Sequence, residues 1–273
     1  MAWLAEIQII MAKENRYSQI IETIFFKTYQ VGISEIHFTR EEFISAAIEL
    51  QILSVKNVGD ILYTFRYRTS LPENIVKTAP DGFEWIIRSV GKALHKFVLV
   101  KQANFFPNEL YAETKIPDAT PGIISKYAMD DEQALLANVR YNRLIDIFTG
   151  LTCYSLQNHL RTTVPKLGQV ETDELYIGLD KRGVHFILPV QAKGNNDKIG
   201  IVQIEQDFAV GAAKFPNLIC KPIAVQFMKN GAIALFEFEL NSNGIAITAE
   251  KHYRLVAPDN ISLDELESYK IRI

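Results

Sequence analysis

The stretch that most limits how this chain can fold runs from Gly168 to Gly194, where two strand-like runs flank a tight turn at Asp180-Lys-Arg-Gly183. The first run reads Gly168-Gln-Val-Glu-Thr-Asp-Glu-Leu-Tyr-Ile-Gly178, and the second His185-Phe-Ile-Leu-Pro-Val-Gln-Ala-Lys-Gly194. Side chains alternate along a strand, so Gln191 and Lys193 share one face while Val190 and Ala192 take the other. Folding back at the turn sets a residue near Asp173 opposite one near Val190. Asp173, Gln191 and Lys193 are therefore expected within reach of one another. A lysine directly after a buried Pro-Val-Gln-Ala strand is poorly explained by solubility alone.

On either side of a Pro- and Gly-containing, aperiodic stretch from Asn104 to Ser125 the chain follows different patterns. The 273 residues exceed the usual size of one domain, of roughly 100 to 150 residues. Two domains are expected: 1–110, then a linker over 111–128, then 129–273. In the first half Ile20, Ile21, Ile24 and Phe25 recur at helical spacing, and Met1 to Ala12 reads as the opening turns of that helix. Thr39 with Glu42 marks the start of a second helix that should turn Phe43, Ile44, Ala47 and Ile48 inward. A third helix is expected from about Asn57 to Arg66 with Val58, Ile61, Leu62 and Phe65 as its apolar stripe, followed by strands at Phe83–Val90 and Ala93–Val100. Three helices and a two-stranded hairpin form the order of a winged helix, in which the third helix can enter the major groove of DNA.

Charge supports that reading locally. The formal net charge is -3, yet Lys56 to Lys101 holds eight Lys or Arg against four acids. Lys56, Arg66, Arg68, Arg88, Lys92 and Lys96 are the candidate DNA-contacting cations of this segment. Winged helices also dock proteins, and composition does not separate the two uses.

The second half predicts a helix from Asp130 to Phe148, strands at Thr152–Gln157, Val170–Leu179 and Val184–Lys193, a helix from about Lys198 to Lys214, and strands at Leu218–Met228, Ala232–Leu240 and Gly244–Val256. With Asp173, a turn, Gln191 and Lys193 in that order, this segment resembles the catalytic hairpin and helix–three strands–helix–strand core of the PD-(D/E)XK nuclease superfamily. The fold class expected is α/β (α+β), a winged helix followed by a restriction-endonuclease-like α/β/α core around a mixed sheet. The resemblance implies Mg²⁺-dependent cleavage of double-stranded DNA, with Mn²⁺ able to substitute, and a homodimer where both strands are cut.

It further implies a metal held by Asp173 and the Gln191 oxygen, with Lys193 steadying the attacking water. Members of the superfamily usually have an acid where Gln191 stands, so another carboxylate would compensate, and Glu132, Glu171 and Glu174 are the candidates. A glutamine on the following helix, Gln203, would approach the site, and Gln206 and Asp207 would share its polar face opposite Ile201, Ile204 and Phe208. The alternatives are a DNA-binding protein with an inactive nuclease fold, and a winged-helix regulator acting through protein contacts.

The remaining features mainly exclude. Histidines at 37, 95, 159, 185 and 252 have no zinc-site spacing, and Gly-x-Gly-x-x-Gly, P-loop and Gly-x-Ser-x-Gly motifs are absent. Cys153 and Cys220 sit in apolar strand-like runs and read as buried free thiols. No run of eighteen apolar residues occurs and Met1–Ala12 lacks a basic start, so the expected location is cytoplasmic, without membrane contact.

Overall fold

A computed structural model describes residues 16–52, 57–127, 132–195, 197–242 and 244–271. The expectations for Met1–Ala12, for Lys56 and for a helix start at Asp130 lie outside those residues. The chain divides into two compact units, one reaching Phe105 and including Thr163–Gly168 and Gly200–Val202, the other holding the rest from Phe106 on.

In the first unit helix α1 spans residues 16–28 and buries Ile20, Ile21, Ile24 and Phe25, as its spacing requires. Strand β1 (Glu35–Thr39) follows, then α2 (Arg40–Glu49), whose start is fixed by the Glu42 carboxylate accepting from the Thr39 N–H at 2.7 Å. Helix α3 (Val58–Tyr63) begins at Asn57, whose side chain accepts from Gly59 N, and it continues into a π-helical turn, Thr64–Arg68. Short α4 (Glu73–Val76) precedes the hairpin of β2 (Glu84–Gly91) and β3 (Leu94–Val100). The sheet order is β1-β3-β2, antiparallel, with Phe38 opposite His95 and Ile87 opposite Phe97. Phe25 packs edge-on against Phe97 and Trp85 at centroid distances of 5.1 and 5.2 Å, which ties α1 to the sheet.

Two sequence expectations fail in this unit. Strand β1 was not anticipated, although Ile36 and Phe38 are buried and alternate with exposed Glu35 and His37. On α2 the buried stripe is Phe43, Ala46 and Ala47, and Ile44 and Ile48 are exposed. The buried face therefore runs through Phe43, Ala46 and Ala47, an i, i+3, i+4 stripe displaced from the expected one.

The second unit is built on an eight-stranded mixed sheet. After β4 (Asn104–Phe105), which closes the first unit, its elements in chain order are β5 (Glu113–Pro117), α5 (Gly122–Tyr127), α6 (Glu132–Tyr141), α7 (Leu144–Thr149), β6 (Thr152–Val164), β7 (Gly168–Leu179) and β8 (His185–Lys193). Then come β9 (Ile199–Gly200), α8 (Ile201–Lys214), β10 (Ile219–Cys220), β11 (Ile223–Phe227), β12 (Ile233–Asn241), β13 (Gly244–Val256) and α9 (Leu263–Ile271). The sheet runs β5-β13-β12-β11-β8-β7-β6, with β10 also on β8. β7 and β8 are antiparallel, while β8 and β11 are parallel and joined through α8.

Within the expected linker of 111–128, Glu113–Pro117 belong to the sheet: β5 pairs in parallel with β13, and Arg254 of β13 donates from Nη2 to Glu113 at 2.8 Å. The expected long helix is two, broken where Arg143 takes a left-handed φ of 50° and Asn142 turns inward to hold Ala119 N at 2.7 Å. Leu135, Leu136 and Val139 of α6 pack with Leu188, Val190 and Ala192 of β8, so the even-numbered face of β8 lies under α6. The other face lies under α8. A Cβ on Gly211 would come within 2.4 Å of Cys220 Sγ and 3.7 Å of Ile187, so the absence of a side chain lets this helix press onto the sheet. Among the described residues no helix is long and apolar enough to cross a membrane.

Candidate active site

The β7–β8 ladder runs from Leu179 opposite His185 to Glu174 opposite Val190 and then changes character. Thr172 and Glu174 have the same parity, and a regular strand would aim them at one face. Their partners lie in opposite layers. The Glu174 carboxylate accepts from Arg140 of α6 at 2.8 and 3.0 Å and from Ser155 at 2.8 Å, whereas Thr172 donates to Asp207 of α8 at 2.6 Å. The reversal occurs at Asp173, so the strand is irregular there in the manner of a β-bulge. Asp173 Oδ2 accepts from the Ala192 N–H at 2.8 Å, a side-chain oxygen taking the place of a ladder carbonyl. This contact joins the expected acid to the strand that carries Gln191 and Lys193.

Lys193 ends β8 with its side chain 12% exposed, and its Nζ lies 3.6 Å from Glu132 Oε1 at the start of α6. Burial raises the Asp173 carboxyl above its ordinary range, against the lowering effects of the Ala192 N–H and Lys193. Glu132 is raised too, first by burial and then by the charges of Asp173 and Asp197, while Lys193 pulls it down. The two acids and the lysine thus feel one another's charge.

Gln191 is buried and turned toward α8, where its Nε2 donates to both oxygens of Asp207, at 3.0 and 3.1 Å. Its Oε1 accepts from Gln203 Nε2 at 3.4 Å. Asp207 is fully buried, and that burial pushes its pKa up to about 7 despite the donors Thr172 and Gln191. Gln206 is buried as well. Sequence reasoning missed Asp207 and Thr172 as members of the site. The available signal was Gly211, one turn after Asp207 on the same helix face, which marks a close approach to the sheet.

Of the compensating acids, Glu132 joins Lys193 and the other two do not fill that role. Glu174 has no exposed surface and is committed to Arg140 and Ser155, because a buried carboxylate without such donors would be costly. Glu171 is held at the rim by Arg161, at 3.1 and 3.2 Å, with His159 at 3.7 Å. Among the described residues no three His, Cys, Asp or Glu side chains converge as a metal-holding group. Mg²⁺ commonly takes only one or two protein carboxylates, with waters and substrate phosphates completing its shell. Two carboxylates of raised proton affinity beside one lysine fit that requirement as a donor set.

The cations of the first unit are distributed unlike the expectation. Arg66 points inward, its Nη2 donating to His95 Nδ1 at 2.8 Å, and burial lowers its pKa. It is a packing residue because the π-helical turn carries it under β3. Lys96 is neutralised by Glu35 at 2.6 Å, and Arg88 stands opposite it in the β2–β3 ladder. Arg68 stacks over Tyr63 at 4.9 Å and is exposed, as is Lys92 in the hairpin turn. Both cysteines are free thiols, with Cys153 pushed by burial to about 11 and Cys220 to about 12. Comparison with family models, with curated proteins and with solved structures returns no match to this chain.

Proposed function

We propose that this chain is a metal-dependent phosphodiesterase of the PD-(D/E)XK type that cleaves double-stranded DNA. The observation that carries the reading is the Asp173 irregularity, which sets a carboxylate against the strand end bearing Lys193, with Glu132 ion-paired to that lysine. The order α6–α7, β6, β7, β8, α8, β11, with β8 and β11 parallel, supports the same assignment. In the first unit the order helix, strand, α2, α3 and short α4, hairpin, with β1 beside β3, supports a winged helix that would carry duplex DNA.

Asp173 and Glu132 would hold a divalent cation, Mg²⁺ or Mn²⁺, with the Gln191 oxygen as a neutral donor. When bound, the cation would neutralise charge developing on the scissile phosphate. Lys193, with its side chain 12% exposed, holds its ammonium 3.6 Å from the Glu132 carboxylate, where it would donate to an attacking water and stabilise the negative charge that forms on it. The low exposure of Lys193 limits how far bulk water screens its charge. Cutting both strands of a duplex would call for a second copy of the chain.

The test is incubation of the full chain with supercoiled plasmid in Mg²⁺, in Mn²⁺ and in EDTA, with Lys193→Ala as control. Nicking or linearisation that needs the metal and is lost in the variant is expected. Plasmid left intact under every condition would overturn the reading. A second reading, a DNA-binding protein with an inactive nuclease core, is favoured by the Gln191 amide, whose NH₂ donates to Asp207 and to the Glu171 carbonyl and which carries no charge for a cation. It predicts plasmid retention without cleavage in either metal.

A further inference from the structure

Position 191 carries an amide where the chemistry just proposed would favour a carboxylate, and that amide donates to a buried carboxylate, Asp207. Asp207 accepts from Thr172 at 2.6 Å and from Gln191 at 3.0 and 3.1 Å, and all three side chains are buried. Asp207 has no exposed surface and is engaged by Thr172 and Gln191, so it does not itself reach a substrate.

We infer that Gln191 and Asp207 form one charge-carrying unit, in which Asp207 is a positioning residue that orients the Gln191 amide and supplies the negative charge that the amide lacks. This rests on the nuclease reading above. The Gln191 NH₂ faces two carboxylate oxygens, so the amide has a single favourable orientation, with Oε1 turned away from Asp207 and, among the described residues, accepting a long contact from Gln203 at 3.4 Å. An oxygen bonded so lightly is available to a cation, and the charge that strengthens it sits behind the amide in a medium that screens little.

The pair is an exchanged version of a carboxylate at 191 backed by an amide at 207. That equivalence makes the inference testable by exchange. A carboxylate at 191 alone would meet the Asp207 carboxylate across about 3 Å, two like charges without water between them. Asn at 207 alone would present an NH₂ to the Gln191 NH₂, which removes the charge and lets the amide turn over. Carboxylate at 191 with Asn at 207 restores both the donor–acceptor match and the charge.

The experiment compares wild type, Gln191→Glu, Asp207→Asn and the double variant, all as full chains, by thermal unfolding without metal and by Mn²⁺ binding followed by electron spin resonance, with plasmid cleavage as a third readout. Asp207→Asn should weaken Mn²⁺ binding by about tenfold or more, the usual range for losing a group behind a ligand, and the double variant should return to within about threefold of wild type. Gln191→Glu should unfold at lower temperature at about pH 8, and Asp207→Asn in that background should recover the loss. If wild type binds Mn²⁺ and cleaves, and Asp207→Asn does both equally well, the positioning role is overturned while the nuclease reading stands. Were the double variant no better than its single parents in either binding or unfolding, the exchange would be refuted. If wild type neither binds Mn²⁺ nor cuts, the nuclease reading falls and this inference falls with it, whatever the melts show.

Discussion

Asp173 has two duties that substitution can separate. Its Oδ2 satisfies the Ala192 N–H, a donor on a residue with no exposed surface, and its charge belongs to the proposed site. Asp173→Ala removes both. A buried donor left without an acceptor costs about 1–3 kcal/mol, which at about 2–4 °C per kcal/mol lowers the unfolding temperature by roughly 2–12 °C. Asp173→Asn keeps an oxygen of the same shape against Ala192 and removes only the charge.

Because burial raises the folded-state pKa of Asp173 above its unfolded value, the ionised folded form carries a penalty at neutral pH that is relieved as pH falls through the raised pKa. Asp173→Asn should therefore match or exceed wild type in unfolding temperature near neutral pH and lose that part of the pH dependence. Cleavage of plasmid should fall by at least about 10² in both variants. The assay is calorimetry between pH 4 and pH 8, taken as roughly the span over which such a carboxyl titrates, beside initial cleavage rates. An Asp173→Asn protein that cleaves like wild type would refute the catalytic placement. Equal melting of the Asn and Ala variants would refute the anchoring of Ala192.

Three further outcomes follow from named contacts. Arg140→Met leaves Glu174 buried with only Ser155, which should cost about 3 kcal/mol, the low end for breaking a buried pair, and Glu174→Gln in the same chain should recover most of it in urea unfolding. His95 is held down to about 4 by burial and by Arg66 and Arg40, so its contribution is complete above its unfolded pKa of about 6.5 and is lost as pH falls from there through about 4; His95→Gln should flatten the stability profile of the first unit over that window, by about 3 kcal/mol at most. Exchanging the exposed cations, Arg68→Glu with Lys92→Glu, should reduce the salt slope of DNA binding by about 2, and an unchanged slope would remove the first unit from the DNA path.

Much of the fold was legible because the residues that define it obey simple periods. The turn at Asp180–Gly183 carries its own mechanism, with Asp180 Oδ1 accepting from Arg182 N at 2.8 Å and Val184 N at 2.9 Å and Gly183 at a φ of 82°. The stripe Val58, Ile61, Leu62 and Phe65 is buried as read. Edge strands were harder, since β1 and β5 are five residues each and their burial depends on partners distant in sequence, β3 and β13. Arg66 was misjudged because it stands near the end of an apolar stripe, and the switch from α to π winding that turns it inward has no marker in composition.

The site itself depended on something that strand parity cannot express. Parity put Gln191 and Lys193 on one face of β8, whereas the contacts of Gln191 go to Asp207 of α8 and the ion pair of Lys193 goes to Glu132 of α6. It could not foresee that the irregularity at Asp173 sends Thr172 to the α8 layer. Without that reversal Thr172 would face α6, Asp207 would lose its shortest hydrogen bond, and a buried carboxylate would rest on the Gln191 amide alone. The same irregularity gives Asp173 access to the Ala192 N–H. One local departure from the pleat therefore sets Asp173 against the Ala192 N–H and Thr172 against the Asp207 carboxylate that Gln191 also engages. A substitution that regularised β7 should disturb both at once, which is why Asp173 and Asp207 are expected to be energetically coupled although no hydrogen bond joins them.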